Sequence, residues 1–232
     1  MEPIYSQIVA EAATESLGPL GFKRRGRSRL WLYDHGWILR VVWFQASRSP
    51  GITYLNVGVL PLWRPSTDAH ADVVRRIHSS RWSLDGGDQW IAYRSEHQYR
   101  RAAATLAGMA AEEAERWKRF TDLADLTELL LYTPTGTMTW FGSFHAGILS
   151  GISDDLEDAR RQLEPWKAYP GGSNPISPFQ REFRKTVNDL LGALPDLTLF
   201  RSLVEETIAQ SRQSLKLPPV KSTFPWKEET SQ

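Results

Sequence analysis

The chain has no cysteine in its 232 residues, and that single absence removes several chemistries together. Disulfides, thiolate nucleophiles, cysteine-ligated zinc and iron–sulfur clusters all need a sulfur that the sequence does not supply. Long hydrophobic runs are missing too. Nothing approaches the ~18 consecutive apolar residues of a membrane-crossing helix. The opening residues Met1-Glu2-Pro3-Ile4-Tyr5 lack the basic-then-apolar order of a secretory leader. These absences set the expected compartment as the cytoplasm, with no membrane partner. The catalytic signatures are absent as well: no Gly-Lys phosphate loop, no GxGxxG, no GxSxG elbow and no HExxH. Nucleotide hydrolysis and dinucleotide redox chemistry therefore find no support, and no cofactor or metal is expected.

Excess charge of one sign is also lacking. The 28 basic and 27 acidic side chains nearly cancel. The balance hides an asymmetry: residues 1–120 carry 17 basic and 12 acidic groups, and residues 121–180 carry 3 and 8. Such a distribution gives a dipolar surface or an internal attraction, not a basic footprint over the whole molecule. With 41% hydrophobic and 24% charged residues the chain is too apolar to be disordered. Ten tryptophans are its most conspicuous excess. Their large apolar rings suit core packing, or an aromatic-lined pocket or interface.

The periodicity predicts an α+β fold. A first helix spans residues 3–18, with Ile4, Ile8, Ala12 and Leu17 near one face and Gly18-Pro19 as the stop. The pattern then becomes β-like: Leu30–Tyr33, Trp37–Gln45 and Ile52–Leu60 are rich in β-branched and aromatic residues. Asp34-His35-Gly36 and the Ser47–Gly51 stretch read as the turns between them. Residues 22–61 thus form an antiparallel meander, whose central strand is apolar on both faces. Residues 62–97 read as irregular, with a helical turn at Val73–His78 and a fourth strand at Trp90–Tyr93. The Ala-rich stretch 98–119 is a helix, and another is expected over 122–132.

Thr133-Pro134-Thr135-Gly136 breaks the pattern and sets the expected division. Residues 1–135 form the α+β part, 136–217 a helical region packed on it, and 218–232 a mobile tail. Within the helical region Ser177-Pro178-Phe179-Gln180 has the form of a capped helix start, and Pro195-Asp196 opens the last helix. The expected sheet has three to five strands.

Two groups of residues carry the functional readings. Gln45 ends an apolar strand, Arg48 lies in the following turn, and Asn56 interrupts another apolar strand near Trp43. Polar groups in a sheet core need partners. They either converge on a ligand at the sheet end or tie down the hairpin. The second group is Lys23, Arg24, Arg25, Arg27 and Arg29, five positive charges in eight residues. It either grips phosphate or nucleic acid or guards an exposed strand from aggregation. Asp154, Asp155, Glu157 and Asp158 have a metal-like spacing that first-turn acids of a helix also have. His145 lies among aromatics, as a hydrogen-bonded core histidine would.

Three segments resemble a known family. Leu17-Gly18-Pro19-Leu20-Gly21-Phe22-Lys23 matches a helix ending in L-x-x-x-G-F-K. Phe44-Gln45-Ala46-Ser47 matches a strand ending in F-Q-x-S, and Asn56-Val57-Gly58 a strand reading N-x-G. In that order they resemble the bacterial family filed as domain of unknown function 4304, over about residues 5–130. The resemblance implies an α+β layout and no catalytic residues. The expected function is a non-enzymatic module that binds a protein partner or a small ligand, with neutralisation of another bacterial protein as one version. The alternative is a phosphate- or nucleic-acid-acting enzyme, or an RNA-binding protein, working through the basic segment.

Overall fold

The computed structural model describes residues 3–77, 90–118, 125, 127, 128, 137–139, 141–168 and 177–220. The helix expected over 122–132 and the tail beyond Val220 lie largely outside these residues.

The alternation of the first strands sets the architecture. β1 (Lys23–Arg24), β2 (Leu30–Asp34), β3 (Ile38–Ala46) and β4 (Ile52–Pro61) form the antiparallel meander. Three short strands widen it: β5 (Val73–Arg76), β6 (Trp90–Ala92) and β7 (Thr137–Thr139). β5 pairs with the Asn56–Val59 stretch of β4, β6 with Ile52–Tyr54 further along the same edge, and β7 with β5. The antiparallel α+β class read from the pattern is the class observed. One local expectation is corrected: Val73–Arg76 is a strand, not a helical turn. Two adjacent β-branched residues favour the extended backbone, and the edge of β4 offers them a ladder.

Side chains alternate across the sheet, and each face has its own covering. Phe44, Leu55, Thr53 and Val57 face α1 (Ile4–Leu17) and α2 (Glu96–Trp117). α2 starts on Ser95, whose hydroxyl accepts from Gln98 N–H at 3.3 Å, a side-chain N-cap. Its alanines bring the helix close to the sheet, with Tyr99 and Trp117 buried at either end. A polar network crosses this face. Arg29 donates to Thr53 Oγ1 at 2.8 Å and to Ser6 Oγ, and the Tyr99 and Thr53 hydroxyls lie 2.8 Å apart. Burial raises the Tyr99 phenol above its ordinary range.

The helical region holds α3 (Gly142–Ile152), α4 (Leu156–Leu163), a 3₁₀ turn at Glu164–Ala168, α5 (Pro178–Ala193) and α6 (Leu197–Ser214). Ser177 and Gln180 form the capping box that their spacing predicts. The region packs on the end of the sheet where β2 turns into β3. Trp37 stacks on Trp63 with centroids 5.6 Å apart, and Trp63 meets His145 of α3. Arg212 of α6 grips Asp34. Among the described residues Trp31, Trp37, Trp63 and Trp117 are buried, while Trp43, Trp90 and Trp166 are half-buried. Among the described residues Ile4, Leu199 and Val220 are the exposed large hydrophobics.

The β2–β3 loop carries a pH-dependent element. Asp34 Oδ1 accepts from Gly36 N–H at 2.9 Å, and Gly36 takes φ +90°, which only glycine adopts without strain. His35 is half-buried between them, and burial, then the charge of Arg40, lowers its pKa below the ordinary 6.5. The fold therefore holds the neutral ring. Its contribution is complete above about pH 6.5 and is lost as the pH falls from there through the lowered value, because the unfolded chain binds the proton first. Urea midpoints at about pH 7.5 and about pH 5.5 check this: the native chain loses more stability on acidification than His35→Asn does. Equal losses in the two proteins would show that the ring keeps its solvent.

Candidate functional site

The face of the sheet opposite α1 and α2 opens into a cavity of about 400 Å³, within the common range for small-molecule sites. Its floor follows from the strand register. Leu30, Trp43, Asn56 and Arg76 face one another across β2, β3, β4 and β5, and Val41, Gly58 and Val74 form the next row. The connection from β4 to β5 makes one wall with Arg64, Ala69, His70, Ala71 and Asp72, and Phe141 makes another edge. Gly58 is needed for this closure. A Cβ there would lie 2.1 Å from the Val73 carbonyl oxygen and 2.9 Å from Ala71 Cβ, so any side chain would push β5 and its approach away.

At one end three polar side chains are linked across three strands. Arg76 Nε donates to Asn56 Oδ1 at 3.2 Å, and Arg76 Nη2 donates to Gln45 Oε1 at 2.8 Å. Asn56 Nδ2 donates to the same Gln45 oxygen at 3.1 Å. The Arg76 guanidinium lies over the Tyr54 ring, 4.5 Å from its centroid, which fixes its plane. Trp43 meets the edge of the exposed His70 ring, centroids 5.3 Å apart, and His70 Nδ1 lies 3.1 Å from Asp68. Asp68 is partly desolvated, yet its bonds from His70 lower its pKa overall.

At the other end charges are buried. Arg64 Nε donates to Asp72 Oδ2 at 2.7 Å, and both side chains are under a tenth exposed. The guanidinium sits 4.8 Å from the Phe141 ring centroid and 5.6 Å from that of Phe179. Phe141 has φ 60°, an unfavourable backbone for a bulky residue. His145 is fully buried behind Asp72. Its Nδ1 accepts from Trp63 Nε1 at 3.0 Å, and its Nε2 lies 3.3 Å from Asp72 Oδ2, outside hydrogen-bonding alignment.

The sequence-derived candidates divide clearly. Trp43, Gln45 and Asn56 line the cavity. Arg48 lies in the exposed turn and is not among the lining residues. Of the basic segment, Arg24 donates to the Ser28 and Arg27 carbonyls and rests over Trp31, and Arg29 is spent on the helix-covered face. Arg25 is half-buried, and Lys23 and Arg27 are exposed. The Asp154–Asp158 acids serve the start of α4: Asp155 accepts from Asp158 N–H, and Asp158 accepts from Ser150 Oγ. Among the described residues no group of three potential ligands could hold a metal, and no helix is long and apolar enough to cross a membrane.

The cavity floor and the β4–β5 wall lie inside one recognisable unit. Residues 13–119 match the family model described as domain of unknown function (DUF4304). The resemblance carried by Gln45, Asn56 and Gly58 thus holds over that segment. No curated protein and no solved structure matches the chain. Phe141 and His145 lie beyond the DUF4304 segment, so the buried end of the cavity is completed by the helical region.

Arg76, Arg64 and Asp72 were not among the candidates. Arg76 acquires its role only when β5 pairs with β4, and Arg64 meets Asp72 only when the connection folds back. The alternation of Val74 and Arg76 is the one signal available in the sequence.

Proposed function

We propose that this protein is a small-ligand-binding module whose site is the cavity over β3, β4 and β5. The observation that carries the reading is the coincidence of an apolar cavity with a convergent polar cluster at one end. Recognition is favoured over bond-making because the titratable groups bordering the cavity are already engaged. Asp72 is paired with Arg64, and His70 faces Asp68. The loss of Arg24 and Arg29 to structural contacts weighs against the phosphate and nucleic-acid alternative.

The test is ligand-observed NMR against a library of small acids, amides, amines and sugars, with Val74→Phe as the blocked variant. Val74 is a half-buried lining residue on a short strand, so the larger ring enters the cavity without entering the core. At least one compound binds the native chain, and the variant binds it about tenfold more weakly or worse with an unchanged melting temperature. Equal binding to both proteins, or no binding by any compound, overturns the proposal.

A further inference from the structure

The hydrogen-bonding sense of the polar cluster is fixed by Arg76. A guanidinium donates and never accepts, so the groups it touches on Asn56 and Gln45 are the amide oxygens. Asn56 Nδ2 then donates to Gln45 Oε1. The Gln45 oxygen accepts two bonds inside the cluster and the Asn56 oxygen accepts one. Among the described residues nothing engages Gln45 Nε2, one N–H of Asn56 or Arg76 Nη1, and one lone pair of the Asn56 oxygen also remains. All of these but that one lone pair are donors.

The charge points the same way. Among the described residues two guanidiniums and one carboxylate line the cavity. Arg64 is matched by Asp72 at 2.7 Å, whereas Arg76 has no carboxylate within ion-pair distance among the described residues. A net positive charge therefore stands at the end of the cavity that these donors line, beside a mostly apolar wall. A doubly charged phosphate would need more donors and lose more hydration there than a singly charged group.

We infer that the ligand is a monocarboxylic acid bound as its anion, with its oxygens on Gln45, Asn56 and Arg76 and a compact apolar body against Trp43 and Val41. This rests on the reading of the cavity as a ligand site. The competing account of the cluster is a purely structural one, in which three side chains simply lace three strands together. That account moves stability and leaves ligand preference untouched.

Matched probes separate the two: phenylacetate, phenylacetamide and phenethylamine, and the branched set isovalerate, isovaleramide and isoamylamine. Each is titrated at millimolar concentration into the ¹⁵N-labelled chain, reading the Gln45 and Asn56 side-chain amides and the Trp43 indole N–H. In at least one set the acid binds about tenfold or more tightly than its amide, as a charge-assisted contact requires, and the amine binds weakest. Arg76→Leu brings the acid-to-amide ratio to about one. Gln45→Glu, a nearly isosteric change that tolerates the fold, weakens the acid about tenfold and leaves the amide within about twofold. If the amide or amine shifts the same resonances as strongly as the acid, the carboxylate inference falls and the cavity reading stands. If the acid preference survives both variants, the cluster is structural and the inference falls. If no probe binds, the carboxylate inference falls, and the cavity reading is decided by the library screen.

Discussion

Replacing Arg212 by methionine lowers the unfolding free energy by about 2–4 kcal/mol and speeds hydrogen exchange in α6. The expectation follows from how many groups this side chain holds. Nη1 and Nη2 each donate to one oxygen of Asp34 at 2.8 Å, a two-point grip. The same nitrogens donate to the Gly36 and Pro218 carbonyl oxygens at 2.5 Å. The guanidinium is 6% exposed, while Asp34 is 27% exposed. Water can therefore reach part of the abandoned carboxylate, which keeps the loss below that of a fully buried pair. Arg212→Lys recovers little of it, because a single ammonium cannot span both oxygens and two carbonyls. Denaturant unfolding measures the loss, and exchange rates locate it in α6 and the β2–β3 turn. A lysine variant as stable as the native chain would show that charge alone, without the fork, holds the helical region to the sheet.

The parts of the fold legible in the sequence are those governed by short-range pattern. The β3 and β4 alternation, the Asp34-His35-Gly36 turn and the Ser177–Gln180 cap each depend on residues within a few positions of one another. Strand β5 was not legible, because four residues carry too little period and the strand exists through its pairing with β4. Helix α3 lies inside the helical region read over 136–217, but its bounds had no local signal, for a different reason. Gly147 and Gly151 lower its intrinsic propensity, yet glycine is needed there. A Cβ at Gly147 would meet Leu163 Cγ at 2.6 Å, and one at Gly151 would meet the Phe200 ring at 2.5 Å. Close helix packing has displaced local preference.

The site follows the same division. Gln45 and Asn56 stood out because a polar residue in an apolar strand is a local anomaly. Their partner Arg76 looked like an ordinary surface charge, since only the β4–β5 register brings it opposite Asn56. Arg48 was drawn in by nearness along the chain, and the turn carries it into solvent instead. The Asp72–His145 contact joins residues far apart in the chain and had no spacing to reveal it.

Asp72→Asn lowers stability by about 3–5 kcal/mol, the cost of stranding a buried charge. The change keeps the shape of the side chain and removes only its charge. Arg64 then remains under a tenth exposed with an amide where its carboxylate stood. Its other contacts, the Pro65 carbonyl oxygen at 3.2 Å and the faces of Phe141 and Phe179, do not neutralise it. The loss is therefore assigned to Arg64, and a double-mutant cycle verifies the assignment. Arg64→Met combined with Asp72→Asn restores most of the stability, because no stranded charge is left. Urea unfolding of the two single variants and the double variant measures the coupling. A cost below about 1 kcal/mol for Asp72→Asn would mean that water reaches the guanidinium and the pair behaves as a surface ion pair. The buried end of the cavity would then be wet, and its apolar character, on which the ligand reading depends, would have to be abandoned.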